Sequence, residues 1–243
     1  MKKILLIIIF SSIVFGQYHM QTILGVEDGV KVQDFEKAMI YHNKAHENEL
    51  GAVNTFVILN GPHAGKYVRS HAGEWPIPAD KIDAIYNAHS NHPPLTYDKW
   101  NDSMITQETG TEFYTVRLDL SYNVQYKPYK YFTMYVYNVA QSGNATIEWV
   151  FNEVSEIRKE QGSDAHYFVM VKNLGGNLSE YVVLRGHDTM SEVLDQSEFQ
   201  QVLAALYKKH ADLDAKWKSA VWGLYSQTLE WRPDLSTNLD NLE

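Results

Sequence analysis

The chain has 243 residues, a formal net charge of −9 and no cysteine. An acidic surface repels the phosphates of nucleic acids, so we expect no nucleic-acid partner. The lack of cysteine excludes disulfides, thiolate metal ligands and cysteine-linked lipids, and the length is sufficient for a hydrophobic core without cross-links.

The first 16 residues have the pattern of a signal peptide. Two lysines follow Met1, an uncharged apolar run extends from Ile4 to Phe10, and small or polar residues lead to Gly16. The apolar run is too short to span a bilayer. The sequence therefore predicts export from a bacterial cell and a periplasmic or secreted mature protein without a membrane span. A buried N-terminal strand is the alternative.

The first half of the mature chain alternates between strand and helix patterns. The predicted elements are a strand at 18–26, a helix at 32–50, strands at 55–59 and 66–71, a helix from residue 81, and a strand at 112–120. Asp80 is placed to cap the second helix, and a further helical piece carries Trp100 and Met104. Residues 60–65 have the glycine and proline of a hairpin turn.

The second half follows the same order. The predicted elements are a strand at 131–138, a helix at 145–161, strands at 166–171 and 180–185, a helical stretch at 197–217 and a strand at 226–231. Residues 124–130 form the predicted linker. Residues 237–243 form a predicted acidic tail, which we expect to lack fixed structure.

Short phrases recur in the two halves. Residues 117–121 read Arg-Leu-Asp-Leu-Ser and residues 232–236 read Arg-Pro-Asp-Leu-Ser. Residues 68–71 (Val-Arg-Ser-His) are echoed by residues 184–187 (Leu-Arg-Gly-His). The register between the halves changes only where loops are predicted, as expected for a duplicated structural unit. We therefore predict one unit at 17–123 and its copy at 131–236, with Phe56 aligned on Phe168.

The order strand-helix-strand-strand-helix-strand is the ferredoxin-like split pattern. Two such α+β units in one chain resemble the dimeric α+β barrel superfamily, in which two antiparallel sheets face each other beneath outer helices. The resemblance implies an internal pseudo-dimer that functions as a monomer. It also implies a choice of activities, because the superfamily includes haem-degrading and quinol-forming monooxygenases and chlorite-dismutase-like haem proteins.

Two Arg–His pairs are candidate ligand-binding residues: Arg69 with His71, and Arg185 with His187. Alternation along a strand puts both members of a pair on the same face. If that face lines the space between the sheets, the pairs could bind an acidic small molecule. Alternatively, they lie in solvent at strand ends or contact the acidic ends of helices.

Three histidines of the first half are candidate ligands for a divalent metal or haem. His42 and His89 stand at apolar-face positions where the second half has Val154 and Leu206. His46 follows His42 by four residues, a spacing that lets two imidazoles share one metal ion. Haem-binding members of the superfamily use a helical histidine, and the resemblance assigns that role to His89. Alternatively, these are hydrogen-bonded core histidines.

Three functions are compatible with these patterns. The first is a non-catalytic exported protein that binds a small ligand in a cavity of the duplicated barrel. The second is an oxygenase-like or haem- or metal-dependent enzyme that uses the first-half histidines. The third is a structural or interaction protein without a small-molecule site.

Overall fold

The computed structural model describes residues 16–50, 53–75, 105–107, 110–124, 129–175 and 179–237. Several sequence predictions lie outside these ranges: the signal peptide up to residue 15, the helix from residue 81 with His89, the helical piece with Trp100 and Met104, most of the linker, and nearly all of the acidic tail. Within the described ranges, no helix is long and apolar enough to cross a membrane.

Nine strands are found in the described residues. They are β1 (Gly16–Val26), β2 (Val53–Ile58), β3 (Tyr67–Trp75), β4 (Ile105–Gln107), β5 (Glu112–Val116), β6 (Tyr131–Val139), β7 (Phe168–Leu174), β8 (Glu180–His187) and β9 (Val221–Trp231). All of the larger predicted strands are present, with shifted ends. β9 begins five residues before the predicted start, and β5 ends at Val116 because the chain then turns through Leu120.

The helices lie in two groups, one for each half. They are α1 (Val32–Leu50), α2 (Asn144–Gln161), α3 (Met190–Leu194), α4 (Ser197–Lys209) and α5 (Leu213–Ala220). The bounds of α1 are those predicted, and α2 begins one residue early. The predicted helical stretch at 197–217 is divided into α4 and α5 at His210, whose extended backbone interrupts the helix.

The strands close into an antiparallel barrel. Their order is β3-β2-β9-β6-β8-β7-β5-β1, and β1 also pairs with β3, which joins the two ends of the series. β4 only extends the end of β1, at Leu24–Val26. A closed ring of eight strands has no exposed sheet edge, which removes the main route to edge-to-edge aggregation.

The last strand of each half also pairs with a strand of the other half. β5 pairs with β1 of its own half and β7 of the second half, and β9 pairs with β6 of its own half and β2 of the first half. The ring order repeats after four strands, so a half-turn about the barrel axis relates the two halves. The predicted internal pseudo-dimer of ferredoxin-like α+β units is confirmed.

The core has an inner and an outer part. Alternate residues of all eight strands fill the barrel: Ile23, Ile58, Val68, Tyr114, Met134, Val136, Met170, Val182 and Leu229. The opposite face of the strands carries α1 on one side, packed through Phe35 and Met39, and α2 on the other, packed through Ile147 and Phe151. We call the space between α1 and the barrel the first-half layer, and that between α2 and the barrel the second-half layer.

The repeated Arg-x-Asp-Leu-Ser phrase joins the halves. Arg232 binds Asp234 through two hydrogen bonds and also binds Glu36 of α1 in the other half. Tyr67 donates its hydroxyl hydrogen to the same Glu36 oxygen. Leu235 is buried in the first-half layer. The phrase thus anchors the end of one half onto the helix of the other half.

Residues 117–121, the first copy of the phrase, make the equivalent contacts with α2 of the second half. Arg117 binds Asp119 and Glu148 of α2, and Tyr181 donates to Glu148. Leu120 is buried in the second-half layer. The duplication seen in the sequence therefore records a reciprocal clamp between the halves.

The clamp also reveals the true register of the strands. The backbone N–H of Arg232 donates to the Thr55 carbonyl, and that of Arg117 donates to the Val169 carbonyl, so Thr55 and Val169 are equivalent. Phe56 is then equivalent to Met170, and its alignment on Phe168 was wrong by two residues. Side-chain direction repeats every two residues along a strand, so this offset keeps every side chain on its predicted face.

The same offset separates the two Arg–His pairs. Thr55 pairs with Arg69, whereas Val169 pairs with Val183. Arg69 is therefore equivalent to Val183, and His71 is equivalent to Arg185. The similarity of residues 68–71 and 184–187 does not reflect equivalent positions in the fold.

Candidate functional site

Arg69 and His71 lie on the outer face of β3, in the first-half layer. Arg69 donates from Nε to Oδ1 of Asn43 on α1 at 2.7 Å. His71 is 5% exposed, and its Nε2 lies 2.7 Å from the hydroxyl of Tyr18 on β1. These side chains are held by neighbouring strands and by the helix that covers them.

Asn43 is the polar centre of this layer. It is 1% exposed, and its amide nitrogen donates to the Thr55 hydroxyl at 3.2 Å and to the Leu235 carbonyl at 2.7 Å. His42, the residue before it on α1, is 3% exposed. One turn of α1 therefore buries an imidazole and an amide, and the amide contacts the Arg69 guanidinium directly.

Burial sets the electrostatics of the first-half layer. Desolvation lowers the pKa of Arg69 to about 10, since a charged guanidinium is costly to remove from water. Burial also raises the pKa of Tyr18 above its usual value. The layer at neutral pH therefore contains a cationic side chain and a protonated phenol bound to an imidazole.

Arg185 and His187 lie in the second-half layer, on β8. Arg185 is 3.6 Å from Glu198 of α4, and the same carboxylate accepts two hydrogen bonds from Arg158 of α2. Ser163 donates to it as well. Two arginines and one glutamate thus form a closed internal ion cluster.

The His187 side chain contacts the neighbouring strand, β6. Its Nε2 lies 3.1 Å from the Thr133 hydroxyl of β6. Burial, followed by the nearby Arg185 charge, lowers the pKa of His187 to about 4. The imidazole is therefore neutral at physiological pH.

The two predicted pairs do not meet in one place. β3 and β8 are opposite each other in the ring, and both pairs point away from the barrel interior. Of the predicted metal or haem ligands, His42 lies in the first-half layer near Arg69, whereas the side chain of His46 and all of His89 lie outside the described residues. The described ranges contain no group of three or more His, Asp or Glu side chains that could hold a metal ion.

A second polar cluster was missed by sequence reasoning. Five side chains of β1, β5, β7 and β8 meet inside the barrel, and we call them the barrel network: Gln21, Glu112, Tyr114, Lys172 and Glu180. Lys172 lies 2.7 Å from Glu112 and 2.8 Å from Glu180. The available signal was alternation, because Glu112 and Tyr114 share a strand face with the apolar Val116, as does Lys172 with Met170.

The comparisons with known proteins agree with this architecture. No protein-family model and no curated protein sequence matches the chain. A provisionally named monooxygenase from Fusobacterium nucleatum subsp. nucleatum is 11% identical, with a TM-score of 0.58 over 90% of this chain and 93% of its own. The chain has the dimeric α+β barrel fold.

Other structures with the dimeric α+β barrel fold are equally divergent in sequence. A chlorite dismutase variant from Candidatus Nitrospira defluvii is 9% identical, with a TM-score of 0.55 over 90% of this chain and 92% of its own. Chlorite dismutase of the same organism in complex with imidazole is 9% identical, with a TM-score of 0.52 over 88% and 91% of the two chains. At these identities the similarity demonstrates the fold alone.

Proposed function

We propose that the chain is an oxygenase-like enzyme that binds a small organic acid in the first-half layer. The observation that carries this proposal is that His42, Asn43 and His71 are buried between α1 and the barrel, and that Asn43 contacts the half-buried Arg69. Monooxygenases and chlorite dismutases with the same fold support the reaction class.

The second-half layer suggests what kind of ligand suits Arg69. There, the Glu198 carboxylate is held by Arg158 and lies near Arg185. A carboxylate of the substrate beside Arg69 would have a comparable charge-assisted contact, which is among the stronger polar interactions in proteins. Asn43 positions the guanidinium for this contact by accepting from its Nε.

His71 is the candidate hydrogen-bond donor to the substrate. If the Tyr18 hydroxyl donates to Nε2, as its raised pKa favours, the hydrogen of the imidazole is on Nδ1. In this tautomer, Nδ1–H can donate to a bound carboxylate and so position the substrate. We assign this role to His71 and substrate binding to Arg69.

Haem binding is a second candidate, implied by the superfamily resemblance and by the chlorite dismutases of the same fold. The described residues fit the requirements in kind, since His42 is a buried imidazole on a helix and Arg69 is a cation suited to a propionate. In that case, His42 would hold the iron and the haem would supply the redox chemistry. Purification from the native host followed by an absorbance spectrum tests this, because a Soret band lost in His42→Leu would support it.

Binding and oxygen-uptake measurements test the main proposal. Small aromatic and aliphatic carboxylic acids, each with its matched amide, should be titrated by calorimetry, and the acids that bind should then be tested for oxygen consumption. We expect binding of acids and not of amides, with a loss of about 10- to 100-fold in Arg69→Gln. Arg185→Gln is the matched control and should bind as the unmodified protein does. Equal binding in the two variants would refute the assignment of the site.

A further inference from the structure

The barrel network is unusual because it buries charge where the fold needs none. Lys172 is 4% exposed, Glu112 is 7% exposed and Glu180 is 8% exposed. The half-turn that relates the halves carries Gln21, Tyr114 and Lys172 onto Met134, Leu229 and Ile58, all of which are apolar and buried. At these three positions the other side of the barrel closes with apolar side chains, so the fold itself does not require the polar groups.

The charges of the network do not balance. Two carboxylates surround one ammonium group, which leaves one negative charge inside the barrel. Tyr114 lies 3.0 Å from Glu112 and 2.9 Å from Glu180, and its single hydroxyl hydrogen can serve only one of them. Gln21 donates to Glu112 at 3.1 Å. His19, beside Gln21 and Tyr114, adds no charge at neutral pH because burial lowers its pKa to about 4. The network therefore lacks one positive charge.

Gln227 provides a second, independent observation. It is the residue of β9 that the half-turn places opposite Glu112, at the same level of the barrel. It is 1% exposed, and neither its amide oxygen nor its amide nitrogen has a hydrogen-bond partner among the described residues. A buried amide without partners is costly, so this one points to a ligand.

Gln227 lies on the inner face of β9, which faces the network across the barrel. It is flanked on the inner face of β9 by Tyr225 and Leu229, which both pack in the barrel core. The pKa of Tyr225 is raised to about 12, first by burial and then by the charges of Glu180 and Glu112. The inner face of β9 is therefore within electrostatic reach of the two carboxylates.

The turn between β2 and β3 packs closely on β9 at Gln227. Gly61 has a φ of +85°, and a Cβ atom at this position would lie 2.9 Å from Cβ of Gln227. Only glycine allows both this backbone conformation and this approach.

We propose that this end of the barrel binds one small monovalent cation, an alkali-metal ion or ammonium, between the Gln227 amide oxygen and the carboxylates of Glu112 and Glu180. One such ion neutralises the network and gives the amide oxygen a partner. Oxygen ligands of this kind suit hard cations. A divalent ion would leave an excess positive charge beside Lys172.

Thermal unfolding of the full-length mature protein tests the site. The melting temperature should be measured in sodium, potassium, ammonium and choline chloride at equal ionic strength and pH, choline being too large to enter. We expect at least one of the three small cations to raise the melting temperature by about 5–10 °C over choline, because a ligand bound only by the folded state stabilises it. The ion with the largest effect distinguishes an alkali metal from ammonium.

Substitutions of Gln227 make the test specific. Gln227→Leu should abolish the difference between salts, and should be as stable as the unmodified protein in choline because it removes an unpaired amide. Gln227→Glu should enlarge the difference. Gln201→Leu, on the exposed face of α4, should leave it unchanged.

A spectroscopic measurement on the unmodified protein covers the case in which Gln227→Leu does not fold. The sodium-23 line should broaden with protein and sharpen again as the preferred cation displaces sodium. Equal melting temperatures in all four salts would overturn the proposal. So would a difference that survives in Gln227→Leu, or a stability that depends on pH and not on the cation, which would indicate a proton shared by the two glutamates.

Discussion

The two halves share a framework and differ in what it encloses. Arg232 with Glu36, and Arg117 with Glu148, make the same clamp on opposite sides of the barrel. Beneath α2, however, Glu198 joins two arginines in an ion cluster, whereas the described polar groups beneath α1 include Arg69, Asn43 and His71. Contacts that are repeated hold the pseudo-dimer together, and those that differ are where we expect binding. The following predictions test this division.

The largest effect is expected at Lys172 in the barrel network. Lys172→Met leaves two glutamates without their shared cation, and we expect a loss of about 3–5 kcal/mol in the free energy of unfolding. Urea unfolding at pH 7 measures it.

A combined variant provides the control for Lys172. Glu112→Gln, Lys172→Met and Glu180→Leu together replace the charged groups, and the result should be close to the unmodified protein in stability. If the triple variant is as unstable as Lys172→Met alone, the charges are not the reason.

Removing Glu198 should leave Arg158 and Arg185 without the carboxylate that they share. In Glu198→Gln, Arg158 loses its two hydrogen bonds to a carboxylate. Because Arg158 is buried, we expect a loss of about 2–3 kcal/mol in the free energy of unfolding. Added formate should recover part of this stability and should have little effect on the unmodified protein. Failure of formate to stabilise the variant would argue against an anion binding between these arginines.

The reciprocal clamp should weaken equally on both sides. Arg117→Ala and Arg232→Ala should each cost about 1–2 kcal/mol, measured by urea unfolding at pH 7. A large difference between the two variants would show that the clamp is not symmetric in energy.

The same pair of variants should change the acid sensitivity of the protein. Hydrogen bonds from Arg117 and Arg232 lower the pKa values of Asp119 and Asp234 below the usual 3.8. A carboxylate whose pKa is lowered by folding stabilises the folded protein at pH values above its unfolded pKa. This stability is lost as the pH falls through the folded pKa. The free energy of unfolding, measured from pH 5 to pH 2, should therefore fall less steeply in the variants than in the unmodified protein.

The smallest effect is expected at His187. Its pKa of about 4 lies below the unfolded value of 6.5, so only the unfolded chain takes up a proton as the pH falls between these values. The stability of His187→Gln relative to the unmodified protein should therefore be greater at pH 5 than at pH 7, by no more than about 1 kcal/mol. Ring-proton NMR gives the direct check, and titration of His187 near pH 6.5 would contradict the assignment.

Much of the fold was predictable because it depends on local patterns. The bounds of α1 and α2 follow from their apolar stripes, and the repeated Arg-x-Asp-Leu-Ser phrase marked a duplicated unit. The offset of two residues between Phe56 and Met170 was not predictable, because alternation is unchanged by it. Arg69 and His71 were predicted from the sequence as candidate ligand-binding residues, and that role stays a prediction. The sequence did not show that they lie beneath α1.

The barrel network was missed for a different physical reason. Charged residues near strand ends are usually solvated, so Glu112, Lys172 and Glu180 gave no signal of burial. They are buried only because β5 crosses to the other half and pairs with β7, which closes the ring around them.

The sequence by itself determined α1, α2, the larger strands, the duplication and the face on which their residues lie. The exchange of β5 and β9, the barrel closure and the meeting of charges inside were decided by the tertiary structure. Periodicity is a property of neighbouring residues along the chain, whereas strand partners and burial depend on residues far apart in it, such as Glu112 and Lys172, which are 60 positions apart.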